Sequence, residues 1–283
     1  MIALFGPTAS GKTAVGRVLR ERLGARVISA DSAALYAGLP ILTAAPDYPA
    51  ALVGTVPLDR DVSVGEYQQL AHAAIDAAER PLLVGGTGLY FRAAVSSLTI
   101  PPPGRREHWQ AEVARLGPES AHALLARRDP AAAARVHAND RKRVVRALEL
   151  AAVEFRGPTD RLWATDARHE TLLVGIAGGS EESLRARIEA QVAAGVAEEA
   201  RRAWSQPLSA TARKILGLEQ FATMPLEEAI EAVLAASRRL ARYQRKWLRR
   251  LPVAATLAAD RAPEEVADEI LALAGTGERL PRR

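Results

Sequence analysis

The sequence predicts an α/β protein, a parallel-sheet core interrupted by a helical insertion. Three observations predict it. Short apolar runs alternate with amphipathic stretches near both ends of the chain, as strand–helix units do. The first run passes into a glycine-rich turn and then a helix, the arrangement of a phosphate cradle. Between the two alternating regions, from about residue 105 to 157, the periodicity is helical throughout.

Ile2–Phe5 is the first strand. Lys12–Leu23 follows as a helix, with Val15, Val18, Leu19 and Leu23 recurring on one face. Val27-Ile28-Ser29 reads as a second strand ended by Asp31. The next stretch carries Pro40, Pro46, Pro49 and Pro57 and is expected to be irregular, since proline neither donates to a ladder nor continues a helix. A helix is expected from Gly65 to Ala78, then a buried strand at Leu82-Leu83-Val84 broken by Gly85-Gly86. Pro101-Pro102-Pro103-Gly104 is the clearest boundary, and Leu172–Ile176 reads as a strand returning to the first sheet. Helices are expected around 181–203 and 227–251, a weak strand at Val253–Leu257, a last helix near 263–274 and a frayed Arg-rich tail at 279–283. The expected organisation is a core of residues 1–100 and 169–283 around an insertion at 101–168.

The 283 residues are 48% apolar and 25% charged, which excludes a disordered chain. No apolar run approaches the roughly 20 residues that span a bilayer. The amino-terminal residues lack the basic n-region of a secretory signal, so a cytoplasmic protein with no membrane partner is expected. With no cysteine, thiolate nucleophiles, disulfides and zinc–thiolate sites are excluded. The net charge of +5 is unevenly placed: residues 1–100 hold 8 basic and 8 acidic side chains, and residues 101–283 hold 30 and 25. From Ala232 to Ala259 there is no acid, while seven cations crowd between Arg238 and Arg250. Arg238, Arg242, Arg245 and Arg249 fall on one helical face, and Leu240, Trp247, Leu248 and Leu251 fall on another that reads as core. Such a strip suits a polyanion such as nucleic acid, although charge runs are commonly just solvated faces.

Gly6-Pro7-Thr8-Ala9-Ser10-Gly11-Lys12-Thr13 matches G-x-x-x-x-G-K-[ST] between a strand and a helix. The glycines let backbone N–H groups converge on phosphate oxygens, and the helix N-terminus adds its positive dipole. Lys12 would neutralise phosphate charge and the Thr13 hydroxyl could ligate Mg²⁺. The fold expectation sharpens to a P-loop NTPase-like parallel-sheet core with a helical insertion domain. The motif leaves open whether the phosphate belongs to a nucleotide or to another pyrophosphate ester. Asp31, at the carboxyl end of a neighbouring strand, could be a general base or simply a helix N-cap. Thr87, after Gly85-Gly86, could hydrogen-bond a ligand or simply be a helix N-cap. The strand Leu82-Leu83-Val84 ends in Gly85, so it supplies no aspartate of the Walker-B kind, a point against a nucleotide hydrolase.

Taken together, the P-loop, Ile28-Ser29-Ala30-Asp31-Ser32 and Leu83-Val84-Gly85-Gly86-Thr87-Gly88-Leu89-Tyr90 resemble the bacterial tRNA dimethylallyltransferases. The resemblance continues through Asp129-Pro130, Ala134–His137, Asn139-Asp140 and Arg143–Glu149, then Ala212–Leu218 and Arg242–Arg249. It implies a P-loop fold that does not use ATP as substrate. The cradle would hold the pyrophosphate of dimethylallyl pyrophosphate with Mg²⁺ and Lys12, and Asp31 would activate the exocyclic amine of adenosine 37, with Thr87 beside it. It also implies tRNA contacts, at the anticodon stem-loop, from Asp31, Ser32, Ala33, Ala34 and Thr87. Lys142, Arg143, Val144, Val145 and Arg146 would make further contacts, as would Lys214 and Gly217. Arg242, Gln244, Arg245, Lys246, Trp247 and Arg249 complete the implied set, and Arg106 joins it if a short deletion is assumed. The enzyme would act as a monomer. The segment Gly38–Pro46 departs from the family pattern by lacking an acid and a lysine, Val53–Asp59 replaces a histidine-containing segment, and Leu218 stands where tyrosine is usual. A small-molecule kinase using the P-loop and Asp31 is the alternative, and it leaves the insertion and the basic helix unexplained. A third reading, an RNA-binding module with a degenerate nucleotide site, conflicts with the intact P-loop.

Overall fold

The computed structural model describes every residue except 101–104, 154–160, 164, 166, 259, 277–278 and 281–283. The boundary at Pro101–Gly104 and the last three residues of the tail therefore lie outside the described residues. The chain divides into two compact units, residues 1–98 with 162–283 and residues 99–161. The junctions fall a few residues earlier than the sequence suggested, because 162–168 belong with the first unit: Arg168 N donates to Val95 O and the buried Arg92 donates from Nε to Leu162 O.

The first unit begins β1 (Ile2–Phe5), α1 (Lys12–Leu23), β2 (Arg26–Ala30), α2 (Pro40–Thr43), β3 (Ala50–Ala51), α3 (Val64–Asp76), β4 (Pro81–Gly85) and α4 (Gly88–Val95). The second unit holds α5 (Arg106–Leu116), α6 (Pro118–Arg128), α7 (Pro130–Arg135) and α8 (Arg141–Ala152). The chain returns through β5 (Leu172–Ala177), α9 (Glu181–Ala193), α10 (Val196–Trp204), α11 (Leu218–Thr223), α12 (Leu226–Leu248), β6 (Ala255–Ala258) and α13 (Pro263–Thr276). Local chemistry sets the ends. Ser63 and Ser180 cap α3 and α9 by accepting from Glu66 N and Ser183 N, and α1 stops at Gly24 in the left-handed region. The helix expected over 181–203 is two helices, because Gly195 adopts φ +90° and turns the chain between α9 and α10. Leu280, expected in a frayed tail, is buried and exchanges backbone hydrogen bonds with Thr171.

The six strands are all parallel in the order β3-β2-β4-β1-β5-β6. Leu4, Val27, Leu82, Val84, Val174 and Leu257 pack on one face against Val15 and Leu19 of α1 and Val266 and Ile270 of α13. The other face is covered by α3 and α4, where Phe5 meets Phe91 edge-on at 5.1 Å. Strands covered on both faces read as continuous apolar runs, which is why they were legible. Register then positions the site: Phe5 is level with Gly85, and Gly85 with Ala30. Gly6, Asp31 and Gly86 consequently leave the sheet side by side at the carboxyl edge, where open α/β sheets bind ligands.

In the second unit, Trp109, Val113, Leu125, Val144, Val145 and Leu148 make a separate core. Asp129 and Asp140 cap α7 and α8 by accepting from Ala132 N and Arg143 N.

Candidate active site

The loop from Gly6 to Thr13 closes on Gly11, whose φ of +75° suits glycine and brings the loop onto the first turn of α1. Ala9 also lies in the left-handed region, at φ +58°. Lys12 is only 9% exposed, and its Nζ donates to Pro7 O at 3.2 Å, folding the side chain back over the loop. The Thr13 carbonyl accepts from the Tyr48 hydroxyl at 3.0 Å. Gln244 of α12 straps the loop from above. Its Oε1 accepts from Thr8 N at 2.7 Å and its Nε2 donates to Gly86 O at 2.9 Å, so the amide joins the cradle to the end of β4.

Asp31 does the local job the sequence allowed it, with Oδ1 accepting from Ala33 N at 2.9 Å and Ala34 N at 3.4 Å, and it also lines the cleft. Thr87 does not cap α4. Its Oγ1 accepts from Ser32 N at 3.2 Å and lies 3.3 Å from Ser32 Oγ, locking the end of β4 to the turn that carries Asp31.

A cleft in the first unit opens over these residues. Thr8, Lys12, Thr13, Asp31 and Arg187 form its polar end; Leu42, Leu184, Ile188, Ile215, Leu216 and Leu240 form an apolar wall. Burial pushes the Lys12 ammonium down to about 8; nearby Arg187 lowers it further and Asp31 opposes the shift. Burial also lowers Arg187, again opposed by Asp31. Two desolvated cations therefore share one carboxylate. Such a site favours an added anion, because an unpaired buried charge is costly.

Arg187 was not singled out from the sequence. The signal was present, since Arg187 falls three residues after Leu184 and four before Gln191, both buried, on a face where a core-packed helix carries apolar side chains. Two further residues were missed. The buried carboxylate of Glu199 accepts from Ile41 N at 3.0 Å and Leu42 N at 2.7 Å, capping α2. Gln191 Nε2 donates to the carbonyls of Ile41 and Leu42, and Arg187 donates to Thr43 O. Together α9 and α10 clamp the segment that forms the cleft wall, the same segment that lacks the expected acid and lysine. These partners are about 150 residues apart, beyond any local pattern.

The residues expected on nucleic acid divide into two groups. Arg242 and Lys246 on α12 and Arg249 just past its end are exposed, as are Lys214, Lys142 and Arg106. Others are engaged within the protein. Val144 and Val145 are buried in the second unit's core, so their side chains support α8 rather than face a ligand. Trp247 is 8% exposed and stacks at 4.8 Å on Trp163; Gln244 is held by the loop, and Arg245 points at the carbonyls of Gly178 and Gly179. Arg238 is paired with Glu181 of α9, a partner that the acid-free stretch did not reveal. Arg146 pairs with the buried Glu149 at 3.1 Å, whereas Arg143 belongs with the exposed group although it pairs with Asp140 at 3.3 Å. Gly217, at φ +90°, lies against Leu42 and Phe221, backing the cleft wall. Leu240, read as core, is 37% exposed and lines the cleft instead.

Among the described residues no group of three or more His, Asp or Glu side chains could hold a metal by themselves. The oxygen of Thr13 in a phosphate cradle fits Mg²⁺ all the same, since that ion keeps waters and phosphate oxygens and needs only one or two protein ligands. Among the described residues no helix is long and apolar enough to cross a membrane.

A parallel sheet with a phosphate cradle at its central strand, and two desolvated cations beside an apolar wall, defines a P-loop protein. The IPP transferase family model matches residues 34–251. A tRNA dimethylallyltransferase of Anaeromyxobacter dehalogenans is 39% identical, the match covering 95% of this chain and 98% of that one. Its counterpart in Streptomyces coelicolor is 36% identical over 89% and 88%. The crystal structure of the tRNA isopentenylpyrophosphate transferase of Bacillus halodurans matches with a TM-score of 0.68 and 27% identity, covering 97% of this chain and 95% of that one. A eukaryotic dimethylallyltransferase acting on tRNA has the same fold, with a TM-score of 0.77 at 20% identity over 97% and 77%. The chain belongs to the IPP transferase family.

Proposed function

We propose that this protein transfers a dimethylallyl group from dimethylallyl pyrophosphate to N6 of adenosine 37 in tRNA and releases pyrophosphate. The observation that carries the reading is the polar end of the cleft. Lys12 and Arg187 are desolvated around a single carboxylate and adjoin a wall of leucine and isoleucine side chains. A diphosphate supplies the missing negative charge, and a five-carbon chain suits the wall. The names of the relatives supply the acceptor.

The chemistry follows from charge. As the C1–O bond of the donor breaks, its electron pair leaves with the pyrophosphate, and Lys12, Arg187 and the loop N–H groups stabilise the developing charge. Adenine N6 forms the new C–N bond, and Asp31 takes the proton that nitrogen must lose. Thr87 keeps the Asp31 turn in place through Ser32. Mg²⁺, held by Thr13 and the diphosphate, would supply further neutralisation of the leaving group. The target base must leave its stack to reach the cleft. Exposed Arg242, Lys246, Arg249, Lys214, Lys142 and Arg106 are proposed phosphate contacts. A kinase could use the same loop and Asp31, but it leaves the apolar wall and the exposed cations of the basic helix without a role.

The test is incorporation of label from prenyl-labelled donor into an anticodon stem-loop bearing adenosine 37, run beside phosphoryl transfer from ATP. Label in the RNA with stoichiometric pyrophosphate is expected. Phosphoryl transfer without prenylation would overturn the reading.

A further inference from the structure

The residues of α12 fall into two arcs around its axis. Val233, Ser237, Leu240 and Gln244 line the cleft, whereas Arg239, Arg242 and Lys246 stand exposed on the other side. At about 100° per residue, Tyr243 lies between the arcs, roughly 60° from Leu240 and roughly 40° from Arg239, the cation nearest to it in angle. Tyr243 is 57% exposed, more than any other large apolar side chain among the described residues, and Leu240 next to it is 37% exposed. A ring left in solvent at a cleft rim needs a reason.

The ring is held from beneath. Its edge meets Trp247 at a centroid distance of 6.4 Å and 79°. Trp247 in turn packs on Gly88, where a Cβ would come within 2.0 Å of the indole, and Gly88 follows the Thr87 that fixes the Asp31 turn. Four other aromatic rings, Tyr48, Trp109, Trp163 and Trp204, carry an arginine guanidinium over them. Among the described residues no cation covers Tyr243.

We propose that Tyr243 is a stacking platform for the nucleobase next to the adenosine that enters the cleft, resting on tRNA being the acceptor. An RNA strand with its phosphates along the cationic arc and its target base in the cleft must carry the neighbouring base across the position between them. Splayed bases are commonly held there by an aromatic face. Tyrosine suits the place because its ring orders with little entropy loss and its hydroxyl tolerates water.

The experiment compares wild type, Tyr243→Ala and Tyr243→Phe on an anticodon stem-loop, with the donor saturating. Tyr243→Ala should raise KM for the RNA by about tenfold, while kcat and the donor KM stay put. The slope of log affinity against log salt should keep its wild-type value, because no phosphate contact is lost. Tyr243→Phe should behave as wild type. A 2-aminopurine placed beside the target adenosine should be quenched on binding wild type or Tyr243→Phe and stay bright with Tyr243→Ala. An unchanged RNA KM or unchanged quenching in Tyr243→Ala would overturn the platform, and so would Tyr243→Phe failing as badly as Tyr243→Ala. In those cases the wild type still prenylates RNA and the transferase reading survives. A wild type that neither binds nor prenylates RNA sinks both.

Discussion

In the cleft, Lys12 is buried and Arg187 half-buried beside one carboxylate; along α12 and just past its end, Arg242, Lys246 and Arg249 stand in solvent in a stretch with no acid of its own. The two regions attract anions by different physics. Burial makes each cleft charge costly without a ligand, so a few cations give strong, short-range selectivity for a compact diphosphate. Exposed cations cost little and act through counterion release along a polyanion, so their effect is graded and dependent on salt. On the proposed function, similar side chains would serve two substrates because their surroundings differ. Each region should therefore fail in its own way.

The largest effect is expected in the cradle. Lys12→Ala should lower prenyl transfer by about 10³-fold, the scale of losing a main stabiliser of developing charge, and leave tRNA affinity nearly intact. Rates at saturating tRNA, with tRNA binding measured separately, check it. Next, Asp31→Asn should slow single turnover by roughly 10²-fold or more. Its remaining Oδ1 can still accept from Ala33 N and Ala34 N, so the turn persists and the loss is chemical. A rate within a few-fold of wild type would leave Asp31 with its capping role only.

Acidity sharpens the contrast. Lys12 titrates at about 8 in the free protein, and a bound diphosphate must raise that value. Donor affinity should then fall as pH climbs above about 8, approaching tenfold per pH unit until the pKa of the complex is reached. Calorimetric titration from pH 7 to 9.5 reads this out, and Lys12→Met should remove it. Stability without ligand moves the opposite way. The unfolded chain holds the Lys12 proton more tightly than the folded one, so wild type should gain on Lys12→Met as pH rises from about 8 towards 10.5. A smaller effect is expected from the wall clamp. Glu199→Gln replaces one carboxylate acceptor with an amide NH2, a donor facing a backbone N–H; it should cost about 1–3 kcal/mol of stability and raise donor KM severalfold. Thermal melts and donor kinetics check the pair of effects.

Much of the cleft was legible because strand register and a local motif determine it. β1, α1 and the glycine loop follow from a contiguous run of 22 residues, Ile2 to Leu23. Asp31 and Thr87 were found because each leaves a strand end at the edge the motif marks. What local pattern could not show is who else meets there. Arg187, Gln191 and Glu199 reach the wall only once α9 and α10 have packed. Gln244 belongs by sequence to the cationic motif, and only the packing of α12 over the loop brings its amide between Thr8 and Gly86. On the basic helix the periodicity separated charged from apolar faces correctly in outline. It overestimated the free arginines, because Glu181 comes from another helix to Arg238. Val144 and Val145 show the opposite error: a motif carried them into the contact set although two valines inside an amphipathic helix belong to its core.

The most direct test of the two-region account is a matched pair of titrations on two variants, Lys12→Ala and the double variant Arg242→Gln/Arg249→Gln. Each is titrated with dimethylallyl pyrophosphate and, across a salt series, with tRNA. The account predicts that Lys12→Ala loses the donor and keeps the tRNA salt slope. The double variant should keep the donor and flatten the slope by about 1.5, roughly 0.7–0.9 for each phosphate contact removed. A double variant with an unaltered slope, or a Lys12→Ala variant that binds the donor normally and loses tRNA, would contradict it.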